Sequence, residues 1–278
     1  MKLYTIDTGY FKLDGGAMFG VVPKTLWQKL HPADENNMCI WALRCLLIED
    51  DNRLILIDAG IGDFMNETYR SRYFPHGDDT LESSLAKHGF KPEDITDIIL
   101  THLHFDHCCG VLTRDENQNA ILRFPNANIW TSYAQWQWAN NPNPREKASF
   151  LQEILVPIQQ SGKLKFVDSE DFNSDKIELE QVFGHTEAML ICHIYYNEKI
   201  ITYCADLIPS HHHIRLPFVM AYDIRPLETM KEKIILLERA YENRHILFFE
   251  HDKDIEACTL KKSEKGIEID NFIKIVDI

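Results

Sequence analysis

Between residues 102 and 107 the chain reads His102-Leu103-His104-Phe105-Asp106-His107, four metal-ligand-type side chains within six positions. The apolar run Ile98-Ile99-Leu100 leads into it and has the character of a short buried strand. If the chain stays extended, His102 and His104 share a face. Asp106 and His107 then follow where a loop can turn them toward a neighbouring point. Four ligands exceed the needs of one small tetrahedral site, and an imidazole pair beside a carboxylate–imidazole pair suggests two adjacent ions. The competing reading is a His-rich surface loop. Grouping directly behind a buried strand favours the metal centre.

The rest of the chain is organised around such short strands. Two apolar runs, 41–49 and 53–58, flank Asp50-Asp51-Asn52 and read as a hairpin. Residues 80–88 have helical spacing, with Gly89 at the C-cap, and Pro92 opens a short helical turn. A strand is expected over 128–131 and a helix over 133–140. A second helix is expected over 146–160, beyond the breakers Asn141-Pro142-Asn143-Pro144. Strands over 163–167, 177–182, 189–196 and 199–204 make the second half β-rich, followed by a helix over 227–242 and a last core strand at 245–249. No repeat or linker-like stretch interrupts the sequence, so residues 1–278 are expected to be a single α+β domain. Two β-rich halves, each with helices, fit a sandwich of two β-sheets flanked by helices.

Charge and composition exclude several partners. A net charge of −14, from 43 acidic and 29 basic residues, would repel nucleic acid. No segment reaches the roughly 18 uninterrupted apolar residues that a membrane span requires. The N-terminus lacks a signal-peptide pattern, and the 7 cysteines are odd in number and scattered, which fits reduced thiols. A cytoplasmic protein acting on a small molecule, with neither nucleic acid nor membrane as partner, is therefore expected.

With these residues in place the sequence resembles the metallo-β-lactamase superfamily of hydrolases. The pattern of that family is H-x-H-x-D-H, a later Gly-His-Thr, an Asp ending a strand, and a final His. Here these are His102–His107, His185 in Gly184-His185-Thr186, Asp206 after Ile201-Thr202-Tyr203-Cys204-Ala205, and His251 after Leu247-Phe248-Phe249-Glu250. The resemblance covers nearly the whole chain and implies an αβ/βα four-layer sandwich. It also implies a first metal on His102, His104 and His185, a second on Asp106, His107 and His251, and Asp206 bridging them. Two divalent ions, Zn²⁺ above Mn, Fe or Co, suit such ligands. Asp58 matches the strand-end Asp of the family and would accept a hydrogen bond from a ligand imidazole; the alternative is a turn-forming Asp. Asp106 and Asp206 are the catalytic carboxylates expected around a metal-bridging hydroxide. Cys204 competes with Asp206 as a ligand, but is read as a small buried residue, and Cys108-Cys109 as packing beneath the metal loop.

The loops narrow the substrate. Asp14-Gly15-Gly16-Ala17-Met18-Phe19-Gly20-Val21-Val22-Pro23-Lys24, Asp206-Leu207-Ile208-Pro209-Ser210-His211-His212-His213 and Val219-Met220-Ala221-Tyr222-Asp223 are similar to the quorum-quenching branch that opens N-acyl-homoserine lactones. Met18, Phe19, Val21, Val22 and Trp27 would line an acyl-chain pocket, form a homodimer contact, or simply pack a core. Two departures stand out: Glu187-Ala188-Met189 replaces a Gly-His pair of many relatives, and Pro209 replaces a carbonyl-binding Tyr. Tyr222, His212 or a neighbouring imidazole of the triplet is the candidate substitute. The alternative activity on the same ligands is phosphotriester or aryl ester hydrolysis.

Overall fold

The computed structural model describes residues 1–169, 172 and 174–278. Its strands in chain order are β1 (Lys2–Asp14), β2 (Met38–Asp50), β3 (Arg53–Ile57), β4 (Asp97–Ile99), β5 (Leu112–Arg114), β6 (Ala120–Leu122) and β7 (Asn128–Thr131). They continue as β8 (Leu164–Phe166), β9 (Ile177–Val182), β10 (Met189–Tyr196), β11 (Lys199–Tyr203), β12 (Ile246–Phe248), β13 (Ala257–Ser263) and β14 (Gly266–Ile273). Among the described residues they build one six-stranded sheet, β1-β2-β3-β4-β7-β8, and another, β14-β13-β12-β11-β10-β9; β5 and β6 form a separate ribbon. The chain divides into two compact units, Met1–Gly9 with Leu43–Asn173, and Tyr10–Ala42 with Ser174–Ile278.

In the first unit β2 and β3 pair antiparallel with Asp50 opposite Arg53, so Asp51 and Asn52 alone make the turn. Asp51 takes φ 50, a conformation in which Asp is tolerated and which hairpin turns of this length favour. β4 is parallel to both β3 and β7, which explains its sequence. A short strand inside a parallel set is covered on both faces and reads as an unbroken apolar run rather than an alternation. Trp130 Nε1 donates to Asp97 Oδ1 at 2.7 Å, satisfying the polar edge of an otherwise apolar ladder. The helix Leu81–Lys87 begins at a Thr80/Ser83 capping box, and Gly89 follows it at φ +82.

One helix is shorter than the spacing predicts. Residues 146–160 were expected to be helical, but the helix is Gln152–Gln160 only. The reason is local: Asn143 Oδ1 accepts the backbone N–H groups of Arg145 and Glu146 at 2.8 and 3.1 Å, folding the preceding segment into turns. Such side-chain competition for backbone donors is what makes Asn a poor helix continuer.

In the second unit β9, β10 and β11 pair antiparallel, and β11 runs parallel to β12. The helix Pro226–Glu242 starts with Pro at its first position, where the missing N–H removes no intrahelical bond. Leu236, Leu237 and Ala240 lie on its buried side. No helix among the described residues is long and apolar enough to cross a membrane.

Candidate metal centre

The first unit presents the residues of the His run on two different backbones. β4 ends at Ile99, and the chain then bends at Thr101 and runs on to His104, which N-caps a one-turn helix, Phe105–Cys108. The N–H groups of His107 and Cys108 both reach His104 O at 3.1 Å. Asp106 and His107 are therefore delivered by a helical turn. His102 Nε2 and His104 Nδ1 lie 3.1 Å apart, two ring nitrogens converging on one point. His107 Nε2 is 3.8 Å from Asp106 Oδ2. The turn is pinned from behind: Ala59 N donates to His107 O at 2.8 Å, and a Cβ on Gly110 would fall 1.9 Å from Ala59 O, so only glycine fits there.

Asp58 supports this run. It is fully buried and sits at φ 58, an unusual conformation that the surrounding bonds hold in place. Its Oδ1 accepts Thr101 N–H at 2.8 Å and its Oδ2 accepts the Thr101 hydroxyl at 2.7 Å; Oδ2 is also 3.2 Å from His107 Nδ1. A hydrogen bond there leaves His107 Nε2 with its lone pair available. The second carboxylate on this side is Glu146, whose Oε1 lies 3.6 Å from His104 Nε2.

The second unit carries the remaining three residues. His185 Nδ1 donates to Asp223 Oδ1 at 2.8 Å, and His251 Nδ1 donates to Ala42 O at 2.8 Å. Both rings therefore hold their protons on Nδ1 and turn Nε2 inward. The two Nε2 atoms meet the two oxygens of one carboxylate: His185 at 3.2 Å from Asp206 Oδ2, His251 at 3.2 Å from Asp206 Oδ1. Asp206 was expected at a strand end. β11 stops at Tyr203, however, and Asp206 lies in the 3-10 turn Ala205–Leu207, entered through Ala205 at φ 42. Gly184 has no room for a Cβ, which would fall 2.4 Å from Thr229 N and Oγ1. Glu232 Oε1 and Oε2 accept the backbone N–H groups of Phe183 and Gly184. Arg225 N donates to Gly184 O, and Ile224 N to His185 O. The helix Pro226–Glu242 and the loop before it thus position His185 through its backbone.

The donor chemistry fits divalent cations. His102, His104, Asp106, His107, His185, Asp206 and His251, with Asp58 and Glu250, are the described side chains whose donor atoms could hold metal, and all nine are buried. Burying carboxylates beside neutral imidazoles is costly unless a cation offsets their charge. Asp223, Glu146 and Glu250 were not read from the sequence. Asp223 stands in the very loop singled out for Tyr222, so the acid next to the aromatic was the signal. Glu250 directly precedes His251, and that adjacency was its signal; Glu146 had none, being an isolated acid in a chain with many.

The other sequence candidates have plain places. Cys204 Sγ donates to Thr202 O at 3.5 Å, and burial pushes its thiol, like those of Cys108 and Cys109, well up from the usual range. These thiols pack. Phe19 has no exposed surface: it stacks on Trp27 and on His213, with ring centroids 5.3 and 5.0 Å away, and so packs the interior of its unit. His213 Nε2 donates to Met18 O at 2.9 Å and its Nδ1 accepts from Ser210 Oγ at 2.8 Å, fixing a neutral ring whose pKa burial lowers to about 3. His211 pairs with Asp252. His212 is half-buried between the rings of His211 and His31 and is held neutral by burial, at about 4. Tyr222 is 37% exposed, one residue before Asp223.

Known proteins share this architecture. A curated N-acyl homoserine lactonase of Bacillus cereus is 25% identical over 268 residues, covering 92% of this chain and 94% of its own. The crystal structure of a probable metal-dependent hydrolase from Staphylococcus aureus superposes with a TM-score of 0.88 at 28% identity, over 98% of this chain and 96% of that one. A dizinc quorum-quenching lactonase, solved with the product N-hexanoyl-L-homoserine, superposes with a TM-score of 0.78 at 25% identity, over 98% and 95% of the two chains. The sequence profile of the metallo-beta-lactamase superfamily matches residues 44–251, a span that runs from β2 to the last histidine. With that match, its two large mixed sheets and its buried His/Asp groups, the chain belongs to the metallo-beta-lactamase superfamily and is a hydrolase of that fold.

Proposed function

We propose that this protein is a dinuclear zinc hydrolase that opens the ring of N-acyl-homoserine lactones or closely related lactones. In this reading His102, His104 and His185 would hold one ion, Asp106, His107 and His251 would hold the other, Asp206 would serve both, and residues 1–278 act as one hydrolase domain. The observation that carries it is the carboxylate of Asp206, which offers one oxygen to each of two inward-turned imidazoles at 3.2 Å. A bridging ligand needs that disposition. The lactone half rests on the lactonase relatives, one of them matched over 92% of this chain. Seven free, buried cysteines support a reducing, cytoplasmic setting.

When bound, such ions supply an activated water and Lewis acidity toward the scissile carbonyl. The residues of the chain do the rest. Asp58 and Asp223 hold the protons of His107 and His185 on Nδ1, so that Nε2 faces the centre. Asp206, only 6% exposed, is the carboxylate that would take the proton of the attacking water and return it to the ring oxygen as the C–O bond breaks. Phe105, within the run, is buried and packs on Tyr73 with ring centroids 4.5 Å apart.

The test is elemental analysis of the purified protein with a panel of acyl-homoserine lactones, aryl esters and an aryl phosphotriester. We expect two metal equivalents and lactone turnover far above the others. One equivalent or none would end the dinuclear reading, and fast phosphotriester cleavage beside negligible lactone turnover would end the substrate assignment.

A further inference from the structure

Glu146 has a task that its position in the sequence conceals. It is 3% exposed, and its two oxygens are committed in different directions. Oε2 accepts the indole N–H of Trp138 at 2.8 Å and the amide of Asn143 at 2.5 Å. Oε1 lies 3.6 Å from His104 Nε2, a charge contact just beyond hydrogen-bond distance. The carboxylate is thus clamped by two donors with its other edge toward a ring whose Nδ1 converges with His102 Nε2. The surrounding segment packs on the same ring and on its neighbour. Phe150 lies 4.8 Å from His104 between ring centroids, and Phe105 N donates to Ser149 O.

We propose that Glu146 is the positioning residue of His104: its carboxylate holds the imidazole proton on Nε2 and so presents the Nδ1 lone pair to a metal ion. The inference rests on the reading of His104 as a ligand. A neutral imidazole has one proton to place, and a buried carboxylate beside Nε2 decides where it goes. The turns that Asn143 imposes in place of the expected helix are what carry Glu146 to this position beside His104.

Glu146→Gln separates this role from packing. Both clamping donors converge on the Oε2 position, so the amide oxygen must take that place, and the NH₂ group then faces His104 Nε2. A donor there favours the Nδ1–H form and removes the lone pair that metal would use. Nitrogen-15 shifts of the imidazoles in the metal-free full-length protein report the tautomer directly. We expect Nε2–H at His104 in the wild type, Nδ1–H in Glu146→Gln, and an affinity for zinc about 10- to 100-fold weaker in the variant by chelator competition. An Nδ1–H His104 in the wild type overturns the proposal without any variant, as does an unchanged tautomer and affinity in Glu146→Gln. His104→Ala is the control for the underlying reading. If it retains full zinc binding, His104 is no ligand; if it loses zinc while Glu146→Gln does not, only the role of Glu146 fails.

Discussion

At the scale of single residues, the side chains behind the candidate ligands decide whether each ring is usable. Asp223 accepts from His185 at 2.8 Å and is 1% exposed, so nothing else in its surroundings replaces it cheaply. Asp223→Ala is expected to weaken zinc binding by about 10- to 100-fold while leaving the fold intact, as measured by chelator competition and circular dichroism. Wild-type affinity in that variant would remove Asp223 from the account. Ala188 presents a different case. It adopts φ 51, a conformation that favours glycine. A left-handed non-glycine residue costs about 1–2 kcal/mol, against about 0.8 kcal/mol for a lost buried methyl. Ala188→Gly is therefore expected to be neutral or mildly stabilising in urea unfolding. A loss above about 1 kcal/mol would show that the methyl packs better than its backbone suffers.

At the scale of elements, the helix Pro226–Glu242 does two positioning jobs. Glu232 accepts the Gly184 N–H, Thr229 packs close against Gly184, and Lys233, fully buried, donates from Nζ to the carbonyls of Arg215 and Phe218 at 2.9 Å. The loop so tied continues to Asp223. Adding a methyl at Gly184 drives a Cβ to 2.4 Å from Thr229, which must move the helix or the His185 loop. Gly184→Ala should cost about 1–3 kcal/mol of stability and lower zinc affinity together. A variant that loses neither would mean that the loop moves freely against the helix. The helical spacing of 227–242 was legible because one face is apolar. What that face holds in place was not. β1 was not legible at all: its buried positions Leu3, Gly9, Phe11 and Leu13 share one parity but Ile6 has the other, so no clean period-two pattern shows in its first half. β13 and β14 were hidden by their charged, half-exposed sequence.

For the molecule as a whole, buried histidines set the response to acid. Burial lowers His213 to about 3 and His245 to about 4, from 6.5. Each binds its proton more readily when unfolded, so its stabilisation is whole above pH 6.5 and is lost as pH falls through the folded value. Glu180, hydrogen-bonded to His193 and paired with Arg239, is held near 2, below its usual 4.5, and adds a loss below pH 4.5. The urea midpoint should therefore decline from pH 6.5 downward and steepen below 4.5. A midpoint flat between pH 6.5 and 4.5 would contradict the burial of these rings as neutral groups.

Much of the candidate site was written locally. The His-x-His-x-Asp-His run and the final His each follow a short buried strand, and the Asp follows the buried end of β11, because backbone leaving an apolar layer is where polar side chains can be delivered; the Gly-His-Thr follows the half-exposed β9. Spacing and residue type were therefore enough to nominate the run His102–His107, whereas His185, Asp206 and His251 were nominated by the family resemblance. The sequence could not choose the tautomer each ring adopts, because the carboxylates beside them, Asp223 and Glu146, come from loops far along the chain; Asp223 lies 38 residues from His185. Nor could it place Phe19, whose apolar character suits a pocket wall and a core equally until the rings of Trp27 and His213 close over it. Ligand identity is a property of the residue and its strand, whereas proton position and burial are properties of neighbours that only folding brings together.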